Sequence, residues 1–163
     1  MTQYPSQVHT INATQEQAYA RMADLRFFEN LKTAFAQPGA LEAMVAQFPN
    51  EQIKPEMLQQ IREQIEKMEF TTDTVTTESQ MGNITLAIVE REAPKLVKLE
   101  AQGAPVQASL WVQILPQGTA QSALKVTVGV ELNFFVRKMI EKRIKPVPDG
   151  IASFLSQVLA VPM

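Results

Sequence analysis

The chain has 163 residues, one His, no Cys and a formal charge of −2, which fits one domain able to bury about 70% of the surface its unfolded chain exposes. With no Cys, disulfides, thiolate nucleophiles and sulfur metal sites are excluded together, and a net negative chain lacks the global positive field that gathers nucleic acid. The opening MTQYPSQ has no basic region followed by an apolar core, and no run approaches the ~20 apolar residues that span a bilayer. A soluble, cytoplasmic protein with no nucleic-acid partner and no stable membrane insertion is expected.

In chain order, Tyr4 to Ile11 reads as a first strand. TQEQAYARMADL follows as a short helix, with Ala18, Met22 and Leu25 on one stripe and Thr14 with Gln17 as a capping box. RFFENLKTAF places Phe28, Leu31 and Phe35 on one helical face and stops near Gln37-Pro38-Gly39. Two further amphipathic patterns follow, ALEAMVAQF with Leu41, Met44, Val45 and Phe48, and PEMLQQIREQIEKM with Leu58, Ile61, Ile65 and Met68; Pro55 suits a first helical position.

After Met68 the period changes. FTTDTVTTES, NITLAIVERE, KLVKLEAQG, SLWVQILP and ALKVTVGVEL are β-branched and alternating, with short turns between them. Five consecutive strands of this kind predict an antiparallel meander with one apolar face. Asn133 then caps a helix beginning FFVRKMIEKRIK. In KRIKPVPDGIASFL the apolar residues Ile144, Val147, Ile151 and Phe154 or Leu155 keep helical phase through Pro146 and Pro148. Pro146 cannot donate to the Lys142 carbonyl and disfavours helical dihedrals at Lys145, so a bent but nearly continuous helix is expected.

The order strand, short helices, meander and long C-terminal helix is that of the helix-grip fold. The segments GNITLAIVEREAPKLVKLEAQG, LWVQILPQ and LKVTVGVELNFFVRKMIEKRIK resemble bacterial proteins of the SRPBCC superfamily, the START-like group that includes polyketide cyclases and the birch pollen allergen. The resemblance implies an α+β fold over 1–163, a curved antiparallel sheet wrapped around the C-terminal helix with an apolar cavity between them. The helices over 32–68 exceed the shorter connection of small members, and are expected as an insertion near the cavity mouth.

Candidate chemistry is sparse. His9 lacks the sequence context of a catalytic His and reads as a strand residue, exposed or hydrogen-bonded. One His and scattered carboxylates give no metal site and no cofactor cradle. Glu90 falls by alternation on the side of Ile84, Leu86 and Ile88, with Arg91 opposite, and reads as a strand end turning into solvent before a rim carboxylate. Met139, Met68, Met57 and Met44 are either filler or an adaptable pocket lining. Trp111 falls on the outer sheet face, covered by a loop or set at a homodimer or other partner contact. Arg137, Lys138, Lys142, Arg143 and Lys145, interrupted by Glu141, read as a solvated helix face, with a membrane-surface or anionic-partner patch as the functional alternative. The function expected is non-enzymatic binding of a small hydrophobic or amphipathic molecule, with Ile84, Leu86, Ile88, Leu110, Val112, Val126, Val128, Met139 and Ile151 lining the site. A cyclase- or aromatase-type enzyme using the same cavity and a ligand-free interaction module are the rival readings.

Overall fold

The computed structural model describes residues 2–35, 37, 39, 42, 55–79, 82–104 and 106–160. The alternating segments pair as expected. Strands β4 (Thr74–Ser79), β5 (Gly82–Glu92), β6 (Leu96–Gln102), β7 (Ala108–Gln117) and β8 (Gln121–Val130) are antiparallel neighbours in chain order, and β3 (Glu69–Phe70) extends the edge beyond β4. The first strand is in fact two, β1 (Thr2–Pro5) and β2 (His9–Ile11), which both pair with β8 and complete an eight-stranded sheet. Between them Ser6 keeps the ladder satisfied. Its N–H donates to the Val126 carbonyl at 2.7 Å and its hydroxyl accepts from the Val126 N–H at 2.9 Å, a side-chain oxygen standing in for a backbone one.

The register gathers the apolar alternates on one face. Val126 sits opposite Val112, Val112 opposite Val97, Leu110 opposite Leu99 and Leu99 opposite Ile88. Helix α1 (Gln15–Met22) covers one end of that face with Ala18 and Met22, and the predicted capping box is present: Thr14 accepts from the Gln17 N–H at 3.2 Å while the Gln17 side chain accepts from the Thr14 N–H at 3.0 Å. The next segment differs from the single helix expected. Asp24 caps a 3₁₀ turn, Leu25–Glu29, which buries Leu25 and Phe28 before α2 (Asn30–Phe35) begins. A hydrogen bond from the Arg26 side chain holds the Asp24 carboxyl below its ordinary pKa.

Helix α3 (Pro55–Lys67) starts at Pro55 as its sequence requires and packs against β4, with Leu58, Ile61 and Ile65 half-buried. Its Gln64 side chain donates to the Thr77 hydroxyl and the Glu78 carbonyl, at 3.3 and 3.1 Å. Leu41, Met44, Val45, Phe48 and the side chain of Met57 lie outside the described residues.

The C-terminal helix is α4 (Phe134–Ile144) followed by α5 (Val147–Val158). Asn133 accepts from the Val136 N–H at 2.8 Å, the cap expected of it. Through the joint the backbone stays helical, with φ, ψ of −51°, −41° at Lys145 and −80°, −11° at Pro146. The expected displacement of Lys145 from helical dihedrals does not occur. Instead the chain restarts with Pro148 in the first turn of α5, where its missing N–H has no intrahelical partner to lose.

Candidate functional site

Burial on the apolar face falls off along the strands. At one end Ile11, Val97, Leu99, Val112, Ile114, Leu124 and Val126 are buried against Ala18, Met22 and Leu25 and against Ala152, Leu155 and Leu159. That end is also stitched shut, because Arg21 of α1 donates to the carbonyls of Leu159 and Ala160 at 3.1 and 2.6 Å. Two residues further along the same strands Val128, Leu110, Ala101 and Leu86 are half-buried, as is Ile84 four residues beyond Ile88, while Val130 past Val128 is buried again. The face opens there.

The nine expected site residues divide accordingly. Ile88, Val112 and Val126 belong to the closed core, whereas Ile84, Leu86, Leu110 and Val128 lie at the open end. Ile151 of α5 is half-buried and packs on the core beside Phe154. Met139 does not join them: it lies on α4, 80% exposed. Among the residues not anticipated, Val75 and Phe70 continue the half-buried row, since Val75 pairs with Leu86 and Phe70 with Val75. Phe70 and Val75 stand five apart in EFTTDTVTTES, a spacing that alternation assigns to opposite faces, and the bend at Thr72 and Asp73 that sets them opposite each other has no Gly or Pro to mark it.

Tyr4 is the other addition. It pairs with Val128, so its ring shares the apolar face; it is 6% exposed, and its hydroxyl meets no acceptor at full hydrogen-bond geometry, although the Glu141 carboxylate stands close enough to attract its proton. Burial raises its pKa, and the charge of Glu141 on α4 adds to the shift against a smaller opposing effect of Arg137. The phenol is therefore neutral at physiological pH and keeps a donor to offer. One Tyr in a short N-terminal strand carries no signal of this in the sequence.

The remaining candidates resolve as structural contacts. His9 Nε2 lies 3.4 Å from Asp149 Oδ1, which also accepts from the Gln7 N–H at 2.8 Å, so the imidazole helps fasten the start of α5 to the β1–β2 loop. Glu90 does not share a face with Ile84, Leu86 and Ile88. A β-bulge between Ile88 and Glu90 inserts one residue and reverses the alternation, placing Glu90 opposite Lys98 and turning Arg91 to the Val97 side. There Arg91 donates to the Ala23 carbonyl at 2.9 Å and pairs with Asp73, bracing the 3₁₀ turn against the sheet edge. Trp111 is half-buried on the outer face with the Lys98 ammonium 5.2 Å from its ring centroid, so that side chain supplies part of its cover. Among the described residues no group of three or more His, Asp and Glu could hold a metal ion, and no helix is long and apolar enough to cross a membrane.

No family model matches the chain, and no curated protein does. Solved structures do. A point mutant of norcoclaurine synthase from Thalictrum flavum, in complex with a transition-state analogue, aligns over 98% of this chain and 96% of its own at 11% identity, with a TM-score of 0.62. The fold is the START-like helix grip. The same enzyme in complex with dopamine and hydroxybenzaldehyde matches over 97% of this chain and 87% of its own, at 12% identity and a TM-score of 0.56. A conserved protein from Geobacillus kaustophilus matches over 96% and 95%, at 14% identity and a TM-score of 0.53. Identities this low establish the helix-grip architecture and carry no chemistry with them.

Proposed function

We propose that the chain binds a small hydrophobic or amphipathic molecule, without chemical change, between the open end of the sheet and the C-terminal helices. One observation carries this reading: the strands that seal a dense core at Val112, Val126 and Ile88 leave Leu110, Val128 and Leu86 half-covered two residues on, and Ile84 four residues on. Apolar surface held at that degree of exposure gains roughly 25 cal/mol for each Å² that a ligand removes from water. Tyr4 adds a polar anchor at the same end, because its hydroxyl, only poorly aligned with the Glu141 carboxylate, can turn its donor to a ligand carbonyl or hydroxyl. We also read the 32–68 insertion as part of the same domain, a partial cover at the open end, since α3 bonds to Thr77, which pairs with Ile84 on that face.

Native mass spectrometry of protein purified from its own host, followed by organic extraction, tests the reading. The expected result is an adduct that organic solvent strips away, and that Leu110→Trp no longer retains although the variant stays folded. Wild-type protein found bare under these conditions overturns it. A second reading, an enzyme of cyclase or aromatase type, draws on Tyr4 with the neighbouring charges of Glu141 and Arg137. Recovery of a chemically altered compound after incubation with the extracted ligand decides for that reading.

A further inference from the structure

Helix α4 has a composition at odds with its position. None of its residues is buried, and among the described elements its one closely packed partner is α5, to which it is joined. Yet it displays Phe134, Phe135 and Met139 at 56%, 78% and 80% exposure, with Val147 exposed just past the joint. Large apolar side chains gathered this way are unusual on a purely solvated surface. Between them stand Lys138, Lys142, Arg143 and Lys145, all exposed, with Arg137 half-buried behind them. Lys138 Nζ lies 4.4 Å from the Phe134 ring centroid, and the Phe134 and Phe135 rings meet edge to face at 5.9 Å.

From this we infer that α4 is a docking surface for an anionic lipid bilayer. The helix lies in the interface plane, Phe134, Phe135 and Met139 enter the headgroup–acyl boundary, and the cations pair with the headgroups. Charge complementarity selects this occupant. Five cations against one carboxylate make the segment from Arg137 to Lys145 strongly positive on a chain whose total is −2. An isologous contact with a second copy would set those cations against their own images, an arrangement that repels. A nucleic-acid strand would satisfy the cations, but it would leave no apolar phase for Met139 and Phe135. The docking does not depend on any ligand being bound.

Vesicle flotation tests the inference on the full chain, with phosphatidylcholine vesicles made with and without phosphatidylglycerol. The wild type is expected to float with the anionic vesicles alone and to be released by salt. Replacing Lys138, Lys142 and Arg143 by Gln removes three headgroup contacts and should weaken binding about a hundredfold. The pair Phe135→Ser and Met139→Ser should weaken it as well, and because all these side chains are exposed, unchanged circular dichroism is expected for both variants. Three outcomes overturn the proposal: no flotation of the wild type, flotation unaffected by the Ser pair, or a concentration-dependent dimer that the Ser pair abolishes. In the last case the face belongs to a second copy. Tighter binding of single-stranded DNA than of anionic vesicles overturns it too, by assigning the cations to a polyanion.

Discussion

Helices α4 and α5 are two halves of one C-terminal stretch, and they differ in what they touch. α5 buries Pro148, Gly150, Ala152 and Leu155 and packs against β8, β2 and β1. α4 buries nothing. By side-chain hydrophobicity the order is reversed, since Phe134, Phe135 and Met139 are more apolar than Gly150 and Ala152. Proximity to the sheet resolves the contradiction: small side chains let the backbone of α5 lie close to the strands, so each adds contacts on several sides. Burial in this molecule follows how closely a helix can approach the sheet, and α4 stands off.

The largest expected effect breaks the symmetry of the pair directly. Leu155→Ala removes a side chain that is 5% exposed from the closed core and should cost about 2–5 kcal/mol, the range for deleting a buried Leu. Met139→Ala, at 80% exposure, should change stability by less than about 0.5 kcal/mol. Urea denaturation of the two variants measures both. Equal losses would mean that α4 is packed in solution after all.

Next in size is the joint. Pro146 gives the Lys142 carbonyl no N–H, although the dihedrals on both sides are already helical. Pro146→Ala therefore supplies the missing bond without moving the backbone, and it should recover part of the ~3 kcal/mol that a proline costs inside a helix. Some of that gain is lost again because the unfolded chain becomes freer, by about 0.4–1 kcal/mol. A melting temperature that holds or rises, together with weaker ligand retention, is the outcome expected of a joint that keeps α4 away from the open end. Unchanged retention with a large loss of stability would make Pro146 a structural hinge.

The physical reason some features were legible in the sequence and others were not is locality. The Thr14–Gln17 capping box, the Asn133 cap, Pro55 at the head of α3 and the alternation of β4 to β8 are decided within a few residues, and all stand in the structure. The bulge at Ile88/Glu90 has no Gly to mark it, so alternation counted through it puts Glu90 and Arg91 on the wrong faces. Pairings such as Asp149 with Gln7 and His9, or Tyr4 with the charge of Glu141, join segments more than a hundred residues apart, and no spacing rule reaches that far. The site residues divide on the same principle. Alternation finds which face Ile84, Leu86, Leu110 and Val128 share, but the point along the strands at which cover ends depends on where α1 and α5 stop.

A smaller effect tests the anchoring of α5. Asp149 sits in its first turn and accepts from the Gln7 N–H, so it serves both the helix N-terminus and the β1–β2 loop. Asp149→Ala should cost about 1 kcal/mol, as the loss of a capping-type acceptor does, while Asp149→Asn keeps the acceptor and should cost less. Thermal melts of the two variants give the comparison. Equal losses would assign the stabilisation to charge, and the hydrogen bond to Gln7 would then be incidental.

The smallest change removes one oxygen. The Tyr4 hydroxyl is buried without a hydrogen bond of good geometry, with only the weaker pull of the Glu141 carboxylate, so the ligand-free protein recovers little of the penalty of desolvating it. Tyr4→Phe should therefore raise the melting temperature of stripped protein, and lower retention of a ligand carrying a carbonyl or hydroxyl more than that of a purely apolar probe. The pH dependence gives an independent sign. Because burial, with the Glu141 charge, raises the folded pKa above the ordinary phenol value of 10.0, the folded state favours the neutral phenol; its contribution is complete below the unfolded pKa and is lost as pH rises through the folded one. Wild-type stability should thus fall faster than that of Tyr4→Phe as the solution is made alkaline from pH ~10. Parallel alkaline limbs would show that water reaches the hydroxyl, so that burial does not set its pKa.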